Sequence, residues 1–146
     1  MYKTILVPLD GSKCAEAILP HVEAMAKGFE ADLVLMTAVD HAPPSVTRGG
    51  AQIEKEYVEK EQSEAESYLD EQKKKFEEKG INVKVVVLHG RAVSAIIEAA
   101  QHIDADLIAM GSHGRSGLTR AFYGSVASGV LNRIDRPLLL VRPKSC

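Results

Sequence analysis

The chain alternates two kinds of segment four times over and then closes with one more of the first kind. Short runs that are apolar on consecutive residues occupy positions 4–9, 31–39, 81–88, 106–110 and 137–141. Between them, apolar residues recur at helical spacing over positions 15–29, 52–79, 92–103 and 124–134. A strand with one wet face alternates apolar and polar side chains, whereas a strand that is apolar throughout has both faces covered. This order predicts an α/β domain, a parallel sheet wrapped by helices on both faces. At 146 residues, with no internal repeat or low-complexity run, the chain is expected to form one domain over 1–146. A domain of that size buries roughly 70% of its unfolded surface. It needs no disulfide or metal to hold it together.

Local signals punctuate these segments. Ser12 can cap the first helix, Pro20 either kinks it or marks its effective start, and Gly28 lies near its expected end. Residues 40–50, with Pro43, Pro44, Gly49 and Gly50, read as a loop. The segment 52–79 is highly charged, with a narrow stripe of Ile53, Tyr57, Ala65, Tyr68, Leu69 and Phe76. Glu56–Lys60, Asp70–Lys74 and Glu71–Lys75 are favourable i,i+4 pairs along it. It reads as a helix stopped at Gly80, its outer face either solvated or open to a partner.

Composition removes several classes of function. A net charge of −2 gives no electrostatic reason to expect DNA or RNA as a partner. No stretch reaches the ~20 apolar residues of a membrane span. The opening apolar run, from Thr4, is too short for a signal peptide. Two cysteines, Cys14 and Cys146, have no metal-type spacing and do not make a secreted framework. A cytoplasmic setting is expected.

In an open parallel sheet, ligands sit beyond the carboxyl ends of the strands. Two groups there suit a nucleotide. The first is Gly111-Ser112-His113-Gly114, followed after nine residues by Gly124-Ser125. Glycines let the backbone turn tightly and approach a ligand. Gly124-Ser125 opens a helix, whose unpaired amides and dipole attract an anion. Arg115 and Arg120 can add charge. The plainer alternative is a glycine turn and an N-cap serine. The second group is Pro8-Leu9-Asp10-Gly11-Ser12. Asp10 can accept from ribose hydroxyls, help hold a magnesium ion carried by phosphates, or simply shape the turn. Val39, ending the second strand, can offer backbone groups to an adenine edge or serve as core. His113 can donate to a phosphate or carry a proton. His89 and Arg91 read as a strand-end polar residue and a solvated helix start. Cys14 is either a small buried residue or a redox-sensitive one.

At Gly111-x-x-Gly114-x9-Gly124-Ser125 the pattern resembles the universal stress protein family. The opening Ile5-Leu6-Val7-Pro8-Leu9-Asp10-Gly11-Ser12, the stretch from Asp106 to Gly114, and the closing Arg136-Pro137-Leu138-Leu139-Leu140-Val141-Arg142 resemble its other conserved pieces, in order along the chain. The resemblance implies a doubly wound, five-stranded parallel sheet in the order 3-2-1-4-5. It implies ATP, with or without Mg²⁺, as cofactor, and a homodimer paired through strand 137–141. By motif, Pro8, Leu9 and Asp10 would line the adenosine, with Asp10 on the ribose and touching metal only through the nucleotide. Val39 would face adenine. Gly111, His113, Gly114 and Arg115 would border ribose and phosphates, and Gly124, Ser125 and Val126 would hold the phosphates.

Three functions remain open at this point: an ATP-binding regulator of the stress response, a slow ATP hydrolase or nucleotidyl transferase, and an interaction module without nucleotide. No G-x-x-x-x-G-K-[ST] motif supplies a phosphate-loop lysine, and no second carboxylate adjoins Asp10 in sequence. Regulation is therefore expected over catalysis, with no catalytic residue assigned.

Overall fold

The computed structural model describes residues 1–40, 50–113 and 124–144, and the side chains of 50–54 are not described. The strands are β1 (Thr4–Pro8), β2 (Asp32–Val39), β3 (Val83–His89), β4 (Leu107–Gly111) and β5 (Leu138–Val141). The helices are α1 (Lys13–Glu16), α2 (Leu19–Phe29), α3 (Gly50–Glu77), α4 (Ala92–His102) and α5 (Ser125–Arg133). All strand pairs are parallel and the sheet order is β3-β2-β1-β4-β5. This is the helix-covered parallel sheet that the alternation predicted, in the doubly wound order that the resemblance implied.

Successive residues of one strand feed two separate cores. Ile5 and Val7 of β1, with Leu33 and Leu35 of β2, pack beneath α1, α2 and α3 against Ile18, Val22, Leu69 and Phe76. Leu6, Val34, Met36 and Ile108 face the other way, against Ile96, Ala100, Ala127 and Val130 of α4 and α5. Both sides of each central strand are buried, which is why no polar alternation marks them. Small residues bring α4 and α5 together: a Cβ at Gly129 would stand 2.7 Å from a methyl of Val93.

The helices add detail to the local expectations. The first helix is two helices. Ser12 caps α1, its hydroxyl accepting from the Ala15 amide at 3.2 Å, and Pro20 lies in the first turn of α2, where a missing N–H costs nothing. Gly28 stands next to last in α2, near its end as expected, and Glu30 closes the helix in the left-handed region at φ 54°, a conformation that costs a non-glycine residue roughly 1 kcal/mol. On α3, Lys60 pairs forward with Glu64 at 3.9 Å. The stripe of α3 also includes Gln72, a buried polar side chain that hydrophobic periodicity overlooks.

The chain ends of the strands are held by polar contacts. The Asp106 carboxylate accepts from the Lys3 and Thr4 amides at 2.8 and 2.9 Å. Those backbone bonds, Thr4 first, hold its pKa below the ordinary carboxylate value. Arg136 donates from one guanidinium nitrogen to the carbonyls of Ala100 and Ala105 at 2.9 and 3.0 Å, placing a cation at the carboxyl end of α4.

Candidate functional site

A cleft of about 260 Å³ opens at the carboxyl ends of β1, β2 and β4. Strand order reverses there: β1 connects outward to β2 on one side, while β4 lies on the other. Its floor is apolar, from Met36 and Ala38 of β2, Ala92 and Ile96 of α4, and Met110 of β4. One wall is Pro8, Leu9 and Asp10. The opposite wall is Gly111, Ser112 and His113 with Gly124, Ser125, Val126 and Ala127 at the start of α5. Eight of the expected site residues thus share one cavity: Pro8, Leu9, Asp10, Gly111, His113, Gly124, Ser125 and Val126. Gly114, Arg115 and Arg120 lie outside the described residues, as does Cys146.

Asp10 shapes its turn and lines the cleft at once. Its Oδ1 accepts from the Ser12 amide at 2.9 Å and from the Ser12 hydroxyl, while Gly11 takes φ 84°. The backbone beneath it is pinned to β2, with the Leu9 amide on the Met36 carbonyl at 2.8 Å and the Thr37 hydroxyl on the Leu9 carbonyl at 2.9 Å.

Gly111 is required by packing. A Cβ there would lie 2.9 Å from the Cys14 carbonyl oxygen and 3.2 Å from the Ala15 Cα. The glycine allows α1 to press onto the end of β4, so its need is met before any ligand is considered. Cys14 is buried in α1 at that contact.

At the other end of the motif, the Gly124 amide donates to the Ser112 carbonyl at 2.8 Å, and the Ser128 amide closes the first helical bond on Gly124. The next three amides, of Ser125, Val126 and Ala127, have no intrahelical acceptor. Among the described residues, no side chain caps them. All three residues line the cleft. The Ser125 side chain is exposed.

His113 is buried, and its Nδ1 lies 2.9 Å from the Ser112 hydroxyl. Ser112 itself is 2% exposed and its amide donates to the Val141 carbonyl of β5 at 2.8 Å. Sequence reading passed over Ser112. The signal available was its place between the two glycines of the motif.

Val39 does not line this cleft. Its carbonyl accepts from the Gly90 amide at 2.8 Å, and it borders a second pocket with Thr37, Glu61, Glu64 and Tyr68. The two pockets share Asp10 and Ala38. A residue at the last position of β2 points to the α3 side, because side chains alternate between faces along a strand. Tyr68 donates to Glu16 Oε2 at 2.6 Å, and burial, reinforced by that bond and by nearby carboxylates, raises its pKa well above the phenolic value. His89 contacts Gln62 of α3, and Arg91 stands exposed at the N-cap of α4; neither lines the cleft. No three His, Cys, Asp or Glu side chains among the described residues are grouped to hold a metal ion, and no described helix is long and apolar enough to cross a membrane.

A family model described as the universal stress protein family matches residues 1–142. Universal stress protein MJ0531 of Methanocaldococcus jannaschii is 34% identical over 144 residues, which is 97% of this chain and 83% of the relative. The solved structure of hypothetical protein MJ0577, itself a universal stress protein of that organism, superposes with a TM-score of 0.90 at 32% identity, covering 100% of this chain and 99% of that one. A universal stress protein solved in complex with cAMP superposes with a TM-score of 0.71 at 25% identity, covering 96% of this chain and 97% of that one.

Proposed function

The chain belongs to the universal stress protein family, and from that premise we propose that its cleft binds an adenine nucleotide, with ATP the favoured ligand. The observation that carries this reading is the amino end of α5, where three consecutive amides without an intrahelical acceptor line a cleft with an apolar floor. Such an end attracts phosphate through hydrogen bonding and the helix dipole together. The apolar floor of Met36, Ala38, Ile96 and Met110 suits a flat base. Asp10, on the wall opposite α5, suits the ribose between them, or a magnesium ion carried by the phosphates. A structural relative in complex with cAMP supports a nucleotide as the ligand class.

In this reading the phosphates contact the Ser125, Val126 and Ala127 amides. Gly124 contributes by opening the helix, since its own amide serves Ser112. Val39 borders the second pocket, which shares Asp10 and Ala38 with the cleft, and its backbone groups are proposed to meet the adenine edge. The nucleotide regulates: its binding favours one conformation or partner complex in a stress response. The apolar edge strand β5, partly exposed at the end of the sheet, pairs with that of a second copy. The missing phosphate-loop lysine favours binding with slow or no turnover.

The test is to release small molecules from purified protein by heat and identify them by chromatography, then to titrate ATP. Stoichiometric ATP or ADP is expected. A blank that also resists ATP titration would sink the proposal in favour of a nucleotide-free interaction module. Multiple turnovers per minute with magnesium would make the protein a hydrolase. Ser125→Ala should weaken ATP binding by about 0.5–1.5 kcal/mol, the net worth of one hydrogen bond, as measured by calorimetry.

A further inference from the structure

Cys14 is disulfide-bonded. The chain has one other cysteine, Cys146, so a bond within the chain has one available partner. The fold carries these two positions toward each other from opposite ends of the sequence. Cys14 lies in α1, which presses on the carboxyl end of β4: a Cβ at Gly111 would stand 2.9 Å from the Cys14 carbonyl oxygen. Gly111 is in turn the parallel partner of Val141, the last residue of β5. Val141 packs against the apolar core that holds Ala15 and Ile18, so β5 ends on the face of the sheet that α1 covers. Beyond it the backbone bends at Lys144.

Length permits the link. Adjacent strands lie about 4.8 Å apart, and the residues from 142 to 146 can span up to about 17 Å. That is ample for the separation of about 5.5 Å between Cα atoms that a disulfide needs. Two apolar cores already hold the sheet to its helices, so folding does not depend on the bond. We propose that Cys14 and Cys146 form a reversible disulfide within one chain, a redox modification site whose oxidant is a small disulfide of the glutathione class. Cys14 is buried, so the first exchange falls to Cys146. The Cys146 thiolate attacks one sulfur of the oxidant and expels one thiol; the Cys14 thiolate then attacks the Cys146 sulfur and expels the second. Two S–H bonds are lost and one S–S bond forms. Two electrons and two protons pass to the oxidant, which leaves as two thiols. The closed bond ties α1, just after the Asp10 turn, to the segment that follows β5 beside Gly111, and Asp10 and Gly111 stand on opposite walls of the cleft. The exchange requires no bound nucleotide, so it stands or falls apart from the proposed function.

The test uses the wild-type chain equilibrated with oxidised glutathione, and a second portion then returned to excess reduced glutathione. Each sample is unfolded, alkylated with iodoacetamide and weighed intact, then digested and mapped. The oxidised sample should take up no alkyl group, weigh two hydrogen atoms less than the dithiol chain, and yield one cross-linked pair of peptides holding Cys14 and Cys146. The returned sample should take up two alkyl groups. Alkylation of both cysteines after oxidised glutathione, glutathione retained on either one, or a link between two chains would each overturn the intrachain bond. A bond that survives excess reduced glutathione would overturn its reversibility. Thermal melts give a second readout: a cross-link restricts the unfolded chain, so the oxidised form should melt several degrees above the reduced form. Cys146→Ser, which leaves the buried Cys14 in place, should melt at one temperature under both conditions. A shift of equal size in Cys146→Ser would assign it to something other than this bond and count against the proposal.

Discussion

Single residues here are constrained mostly by what presses against them. At Gly111 the nearest atoms to a built Cβ are backbone, the Cys14 carbonyl at 2.9 Å and the Ala15 Cα at 3.2 Å, and backbone cannot rotate away. Gly111→Ala should therefore destabilise the fold by about 1–3 kcal/mol, the usual cost of overpacking; urea denaturation measures it, and a shift below 0.5 kcal/mol by that method would mean that α1 can withdraw at little cost. Asp106 gives a second residue-scale prediction. Its folded pKa is depressed by the Thr4 and Lys3 amides. A depressed carboxylate contributes stability that is present above its unfolded pKa of about 3.9 and lost as pH falls through the folded value. Thermal melts between pH 7 and about pH 2 should show wild-type protein losing stability below about pH 4 more steeply than Asp106→Asn. Parallel curves would assign the acid sensitivity elsewhere. Of the site residues, Asp10, Gly111 and Ser125 were legible because glycine, serine and aspartate carry strong local signals at strand ends. Ser112 and the apolar floor were not, since a serine between glycines and a methionine in a strand look the same whether or not a cavity opens beside them.

At the scale of elements, helix ends decide where the chain turns. Arg136 supplies donors for the Ala100 carbonyl of α4 and the Ala105 carbonyl just beyond it, close to Asp104 at 3.6 Å and Asp135 at 3.0 Å. Its side chain is only 14% exposed, so the bonds are partly shielded from water. Arg136→Met keeps the aliphatic stem and removes the donors. It should cost roughly 1–3 kcal/mol, visible in chemical denaturation, and a neutral effect would mean that water replaces the guanidinium. Element type followed from periodicity, but element ends followed from caps. Pro20 resolved into a helix start because α1, opened by the Ser12 cap, ends at Glu16 and α2 begins at Leu19. Gly28 marked the end of α2 to within one residue, while the left-handed residue of the closing turn is Glu30, two positions later. The amino end of α5 is the element on which function is proposed to rest, and among the described residues engagement of the Gly124 amide by Ser112 leaves the next three amides without a cap.

At the scale of the whole molecule, a ligand that binds only the folded state stabilises it by mass action. ATP at 100 times its dissociation constant should add about 2.7 kcal/mol, a melting-temperature rise of roughly 5–10 °C for a chain of this size. Scanning fluorimetry against ATP concentration measures this. A flat response over the full range would contradict the proposed nucleotide site. The cleft and the outer strand are also joined through Ser112, whose amide and carbonyl hold β5 and α5 respectively. The proposed pairing of a second copy along β5 and the proposed occupancy of the cleft would therefore act on the two backbone bonds of one residue.

The amino-acid sequence by itself determined the alternation of strands and helices, the parallel sense of the sheet and the end of the sheet where a site could form. These depend on side-chain periodicity and on short-range backbone preferences, which are local properties. Tertiary structure decided which side of β2 Val39 faces, that Gly111 serves the approach of α1, that the Gly124 amide is committed to Ser112, and which three amides are left lining the cleft. Each of those depends on a contact between residues distant in the chain or on different elements, and no local pattern encodes the distance between two surfaces that meet only when the sheet is assembled.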